Sequence, residues 1–262
     1  MNKRGQVTIF VIIGIALIIL ILLIIFLRNK VYIGTASTEN LEAQFPQIQQ
    51  HIEECLIEVA EPRIRQMARQ GGFINVVEAT FRDYNNFPVH YLCFNIQDQP
   101  NCRSRFLTLQ QMEEELSQFI KDDLERECLN VQAFDKLGFT LNEGSLEIDA
   151  SIGQDTVVIE ATKPITLSKG EASAEESIFT STVDLPLGRL YEASRDIVDA
   201  EALLGNFDTL LYSVIKTQLT GKPYIIQKLQ PYPDKIYIMK IKDIPSKEDP
   251  FIFQFWIEDE PR

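Results

Sequence analysis

The sequence predicts an α+β protein: an N-terminal transmembrane helix followed by helices packed on an antiparallel sheet. Three observations carry that expectation. Residues 7–27 are an uncharged run of 21, about 30 Å long as a helix, which matches the hydrocarbon core of a bilayer. From Leu41 to Cys128 apolar residues recur at spacings of three and four, the period of a half-buried helix. Beyond Val131 the period falls to two and turn residues punctuate it, the pattern of strands with one buried face.

The chain divides on this reading into an anchor (1–30), a polar connector (31–40), a helical cysteine-bearing region (41–130) and an antiparallel-sheet α+β region (131–262). The first soluble helix carries Phe45, Ile48, Ile52, Cys55 and Val59 on one stripe. Pro46 fits its first turn, Pro62 should kink or interrupt it, and Gly71-Gly72 end it. Residues 88–94 read as a strand, and Gln99-Pro100-Asn101 as a turn. Thr108-Leu109-Gln110-Gln111 is a capping box that opens a second helix, whose stripe is Leu109, Met112, Leu116, Phe119, Ile120, Leu124 and Cys128. Alternation then picks out Leu146, Ile148 and Ala150, next Val157, Ile159 and Ala161, next Ile165 and Leu167, and finally 178–183. Turns at Gly153-Gln154-Asp155 and Ser168-Lys169-Gly170 separate them. Two helices follow, Leu187–Leu204, closed by Gly205-Asn206, and 207–219. Strands at Lys235–Ile241 and 251–257 finish the chain.

Charge and cysteine usage limit where the protein works. Four of the 25 basic residues and none of the 38 acidic ones lie within 1–30, so residues 31–262 hold 21 basic against 38 acidic residues, a net −17. Such a domain excludes nucleic acid as a partner and discourages contact with anionic lipid. Cys55, Cys93, Cys102 and Cys128 all lie outside the anchor and none forms C-x-x-C; an even count without metal-ligand spacing favours disulfides and an extracytoplasmic compartment. Cys55 and Cys128 sit on core-facing stripes and pair naturally, leaving Cys93 with Cys102 across a short loop. This is one of three possible connectivities. Orientation by positive charge alone is a draw, since Lys3 and Arg4 precede the apolar run and Arg28 and Lys30 follow it. The terminal amine adds to the first pair, Glu39 and Glu42 offset the second, and the cysteines agree in placing the large domain outside.

Lys3-Arg4-Gly5-Gln6-Val7-Thr8, basic residues and Gly-Gln running straight into an apolar helix, resembles the class III signal peptides of archaeal type IV pilin-like proteins. The resemblance implies a cut between Gly5 and Gln6 on the cytoplasmic side, with the apolar helix kept as anchor or filament core. Where assembling pilins carry Glu at the fifth mature position, this chain has Phe10, a departure that bears on filament assembly and not on anchoring. Cleavage after Gly34-Thr35-Ala36, as in an ordinary secretory peptide, is the alternative. Further on, Glu54-Cys55-Leu56 followed by Gln70-Gly71-Gly72-Phe73-Ile74 is loosely similar to uncharacterised anchored proteins of small-genome archaea, a resemblance that implies no activity. The double glycine itself reads as a tight helix-to-strand reversal.

Motifs for chemistry are few. His51 lies on the exposed side of the first soluble helix, and His90 with Cys93 forms H-x-x-C, half a zinc site without a second pair; no metal and no cofactor are expected. Ser213-Val214-Ile215-Lys216 matches S-x-x-K, the nucleophile and base spacing of penicillin-binding proteins, but S-D-N and K-T-G are missing and Thr220-Gly221-Lys222 is in the wrong order. Asp122-Asp123 and the group Asp196, Asp199 and Glu201 read as solvated helix faces. No catalytic constellation stands out, so an enzyme is not expected. Phe251, Phe253, Phe255 and Ile257 share one side of the last strand; at a sheet edge they would offer a pairing surface to another chain. The expected function is therefore that of a single-pass, outward-facing cell-surface structural or interaction protein, pilin-like, serving in adhesion or as a minor subunit of a surface assembly. Its partners would be the lipid bilayer through 7–27 and a protein partner or homo-oligomer. A membrane-tethered solute-binding or accessory domain is the alternative, and a cell-envelope serine hydrolase the third.

Overall fold

A computed structural model describes residues 45–96, 102–127, 140–169, 172–242 and 250–259. The leader residues Gly5 and Gln6, the apolar run 7–27 and Cys128 lie outside the described residues. Among those described, no helix is long and apolar enough to cross a membrane.

Helix α1 (Phe45–Arg69) runs unbroken through Pro62, where the sequence predicts a kink or an interruption. A proline inside a helix forfeits one backbone hydrogen bond and crowds the turn before it. Here Leu56, Val59, Ala60, Ile64, Met67 and Ala68 on either side are buried, and that burial outweighs the cost. Gly71 and Gly72 stop the helix at φ +79° and +95°, a region only glycine enters freely. The Gly72 amide donates to Met67 O at 2.8 Å. Phe73 and Ile74 are buried but form no strand; the amides of Ile74 and Asn75 each donate to the Glu115 carboxylate at 3.0 Å. Helix α2 (Leu109–Glu127) begins with the expected capping box, Gln111 N donating to Thr108 Oγ1 and Thr108 N to Gln111 Oε1. Met112, Leu116, Ile120 and Leu124 of its predicted stripe are fully buried, and Leu109 and Phe119 partly so.

Strands β1 (Phe81–Tyr84), β2 (Phe87–Phe94), β3 (Arg103–Ser104), β8 (Tyr224–Leu229), β9 (Lys235–Ile241) and β10 (Phe253–Ile257) make one sheet in the order β1-β2-β10-β9-β8, with β3 beside β2. This sheet is mixed, because β10 runs parallel to β2, which corrects the all-antiparallel expectation. A parallel neighbour needs a long crossover, and here nearly everything between residues 95 and 252 serves as one. The second sheet is antiparallel as expected: β4 (Thr140–Glu143) and β5 (Glu147–Ile152) share one edge of β6 (Val157–Lys169), and β7 (Ala172–Val183) takes the other. Strand β6 is single where alternation suggests two, because a register shift between Thr162 and Ile165 absorbs Pro164 as a bulge.

Helices α3 (Leu187–Leu204) and α4 (Thr209–Thr220) complete the described elements. One buried core includes residues from Ile52 to Ile257, and β2 from the cysteine-bearing region shares a sheet with the final strands. Helix α1 packs between α2, β7 and β10, α2 lies against β5, α3 lies against β2, β3 and β10, and α4 follows β8 at the sheet edge. A Cβ on Gly188 would meet Gly153 O at 2.4 Å, so the bare glycine lets α3 start hard against the β5–β6 turn.

Candidate functional site

The residue types singled out for chemistry are spoken for by structural contacts. His90 is fully buried, its Nδ1 2.9 Å from Gln70 O and its ring stacked 4.4 Å from Phe73. Loss of hydration on burial lowers its pKa. Cys93 is bonded to Cys102, which removes it as a metal ligand and realises the expected short-loop bridge. Cys55 is also disulfide-bonded, and its expected partner, Cys128, lies outside the described residues. His51 is exposed on α1. Among the described residues no group of three or more His, Cys, Asp or Glu is placed to hold a metal ion. Asp123 is buried and holds Arg63 bidentately, Oδ2 at 2.5 Å and Oδ1 at 3.0 Å, together with Arg126. The Arg63 hydrogen bonds hold its carboxyl below the usual range.

Phe251, Phe253, Phe255 and Ile257 are all buried, and β10 lies between β2 and β9 rather than at an edge. The apolar face of the last strand is a wall of the core and has no surface to lend to another chain.

The surface that does stand out is α4. Asp208 caps its first turn, accepting from Leu211 N at 2.9 Å, and the Gly221 amide closes its last, donating to Thr217 O at 2.9 Å. Six half-buried residues line the side toward the domain: Thr209, Tyr212, Ser213, Lys216, Thr217 and Thr220. All are polar or carry a polar tip. Tyr212 Oη donates to Asp196 Oδ2 at 2.7 Å, Lys216 Nζ pairs with the same carboxylate at 2.9 Å, and Thr217 Oγ1 accepts from Tyr224 N at 3.3 Å. Burial, reinforced by Asp196, keeps the Tyr212 phenol protonated far above its ordinary range. Ser213 Oγ donates to Thr209 O at 2.7 Å. Its hydroxyl and the Lys216 amine are thus engaged separately, and no Ser–Lys dyad forms.

The opposite side of α4 carries Leu210, Leu211, Val214, Ile215 and Leu219 around a single polar residue, Gln218, with Leu210 at 75 % and Leu219 at 77 % exposure. Leu203 and Leu204, at 75 % and 72 %, end the preceding helix. No residue of α4 is buried. The helix is amphipathic with its sides exchanged, polar stripe inward and apolar stripe outward. Sequence periodicity finds the helix but not which side faces in; the sign comes from where Asp196 and the Tyr224 amide wait for polar partners.

Beneath this region lies a closed ionic nest. Glu201 accepts from Tyr237 Oη and from Lys235 Nζ at 3.0 Å, while Lys235 also reaches Gly205 O at 2.9 Å and Asp259 at 2.7 Å. Burial alone would depress Lys235, but Asp259 and Glu201 outweigh it and its pKa is raised. Burial and Glu201 likewise push the Tyr237 phenol up. With the Glu201 side chain at 1 % exposure and that of Lys235 at 5 %, the nest is closed to substrate and acts as a joint between α3 and β9.

A cleft of about 630 Å³ opens between the start of α2 and α3, lined by Arg105, Thr108, Tyr191, Arg195 and Asp199 among others.

No protein-family model matches the chain, no curated protein is similar to it, and no solved structure matches its fold.

Proposed function

We propose that the chain is a single-pass, outward-facing protein of the cell surface that works by contact, as an interaction protein or minor subunit of a surface assembly, with a pilin-like leader. The observation that carries this reading is the exchanged amphipathicity of α4. Contiguous apolar surface in a protein of ordinary stability marks a place where something else binds, and α4 is held in this orientation by specific polar contacts to its own domain. The Cys93–Cys102 bridge supports an oxidising compartment, and the uncharged run 7–27 supports an anchor.

The test is the intact mass, without reductant, of the protein extracted from its native membranes. The expected chain starts at Gln6 and lacks the four thiol hydrogens lost on forming two disulfides. A chain starting at Met1 with free thiols overturns the outward-facing reading.

The cleft favours a second reading, a membrane-tethered solute-binding domain. Arg105 and Arg195 at its wall suit a small anion, and a ligand that binds only the native state raises the melting temperature with the logarithm of its concentration above Kd. A panel of carboxylates and phosphates that leaves the melting temperature unmoved removes this reading.

A further inference from the structure

Resting on the docking reading above, we infer that the occupant of the α4 face is α4 of a second copy of the chain, the two helices packing about a two-fold axis. Its shape is the first argument. Leu211, Ile215 and Leu219 form one row four residues apart, and Leu210 with Val214 forms a second beside it. Such rows are ridges that settle into the grooves between identical ridges on a partner helix. Two-fold symmetry sets the patch against itself, so the surface needs no second sequence to complement it.

Composition is the second argument. Transient contacts are anchored by aromatic side chains and arginine at their hot spots, whereas obligate interfaces, homodimers prominent among them, are more apolar and resemble a domain core cut in half. Apart from Gln218, exposed midway across it, the α4 face is aliphatic, with no aromatic side chain and no arginine, and belongs to the latter kind. In-plane membrane helices, by contrast, keep lysines and arginines on a free polar side and favour aromatics on the other; α4 turns its polar side into its own domain.

Charge is the third. Residues 209–233 contain no Asp or Glu, the longest such run beyond residue 38 of a strongly acidic chain. The lysines within it are neutralised at home: Lys216 by Asp196, Lys222 by Asp155 at 2.7 Å, and Lys228 beside Asn206 and Glu201. Elsewhere two copies oppose like charge; here they meet on neutral ground. A helix of 12 residues is only about 18 Å long, so the interface is small, and the anchor supplies what area does not by holding copies at high local concentration in one plane.

The experiment places a benzoylphenylalanine photo-crosslinker at Leu211 of the full chain in native membranes. The expected adduct has twice the chain mass and maps to residues 209–220, while the same probe at Gln110, exposed on α2, gives none. An adduct with a different protein overturns the second-copy inference and leaves the docking reading standing; a lipid adduct, or no adduct, overturns both. Val214→Glu and Val214→Lys each lower the yield at least tenfold with the melting temperature unchanged, and co-expression of the two restores it. Failure of the pair to restore the adduct overturns self-pairing.

Discussion

Helices α3 and α4 follow one another across a four-residue joint, 205–208, and treat their apolar side chains in opposite ways. Helix α3 buries Leu187, Leu190, Ile197 and Val198 against the mixed sheet. Helix α4, richer in Leu, Ile and Val for its length, buries none. What differs is the neighbour each meets. Helix α3 lies against strands that contribute Leu92, Phe253, Phe255 and Ile257 to the buried core, while α4 lies along the edge strand β8, where Asp196 of α3 accepts from Tyr212 and pairs with Lys216, and the Tyr224 amide donates to Thr217. An amphipathic period says that a helix has two sides; the partner decides which side is inside.

Four changes test that contrast, from the largest expected effect to the smallest. Glu201→Ala strips the nest between α3 and β9 of its central carboxylate and leaves Lys235 buried with Asp259 as its one remaining charged partner beside the Gly205 carbonyl. Breaking one partner of a buried pair costs about 3 kcal/mol or more, to be read from denaturant unfolding of the full chain. If the loss is under 1 kcal/mol, the nest is not what joins α3 to the sheet. Leu190→Ala empties a fully buried site and should cost about 3 kcal/mol. The matched Leu210→Ala on α4 should cost less than about 0.5 kcal/mol, and equal losses from the two leucines would erase the contrast.

Double substitution Cys93→Ser with Cys102→Ser opens the short bridge beneath the start of the α2 cleft. The chain-entropy estimate for so short a loop is about 2–3 kcal/mol, and the parent's unfolding midpoint in reductant, which also opens the bridge to Cys55, should approach that of the double variant measured in the same reductant.

Apart from the matched Leu210 change, Asp155 gives the smallest effect, and it is the one with a pH signature. It takes Arg189 of α3 at 2.6 Å and Lys222, just past α4, at 2.7 Å, so a single carboxylate ties both helices to the β5–β6 turn. The Arg189 hydrogen bonds, with Lys222, pull its carboxyl from 3.8 down to about 2. A carboxylate depressed in the fold contributes stability that is present above its unfolded pKa and is lost as pH falls from about 3.8 through about 2. Because its side chain is 38 % exposed, solvent screening holds the contribution to less than about 1 kcal/mol. Asp155→Asn should therefore lower the melting temperature slightly at pH 7 and not at pH 2; an equal deficit at both would assign the loss to packing.

Much of this architecture was legible in local pattern. The capping box at Thr108, the stripes of α1 and α2, the bounds of α3 and β9, and the pairing of Cys93 with Cys102 all follow from short-range signals that packing then reinforced. Strands β4 and β8 escaped because their alternation is weak: Thr140 and Asn142 are polar, and Ile225-Ile226 puts two apolar residues in succession. Pro62 misled because a proline's local cost is fixed while the burial that offsets it is a property of the whole fold. Long-range order was hidden for the same reason. Nothing in 251–257 distinguishes an edge strand from one slotted between β2 and β9, so its apolar face pointed to an interface when it belongs to the core. The α4 surface was in the sequence as a helix and absent from it as a surface, since Asp196, which turns the helix over, lies on the helix before.

The position of β10 also sets the order in which the molecule can come into being. The strand at the middle of the mixed sheet is the last of the described elements in chain order, and β2, beside which it must lie, is among the first. While the chain emerges residue by residue, the antiparallel sheet of β4 to β7 has all its strands in hand, but β2 and β9 have an empty slot between them until residue 257 is delivered. Closure thus waits on a strand far downstream of β2 and has a large loop entropy to overcome, and a chain in which β10 has not yet arrived exposes the neighbours intended for Phe255 and Trp256, Tyr237 and Tyr91, to whatever guards unfinished proteins.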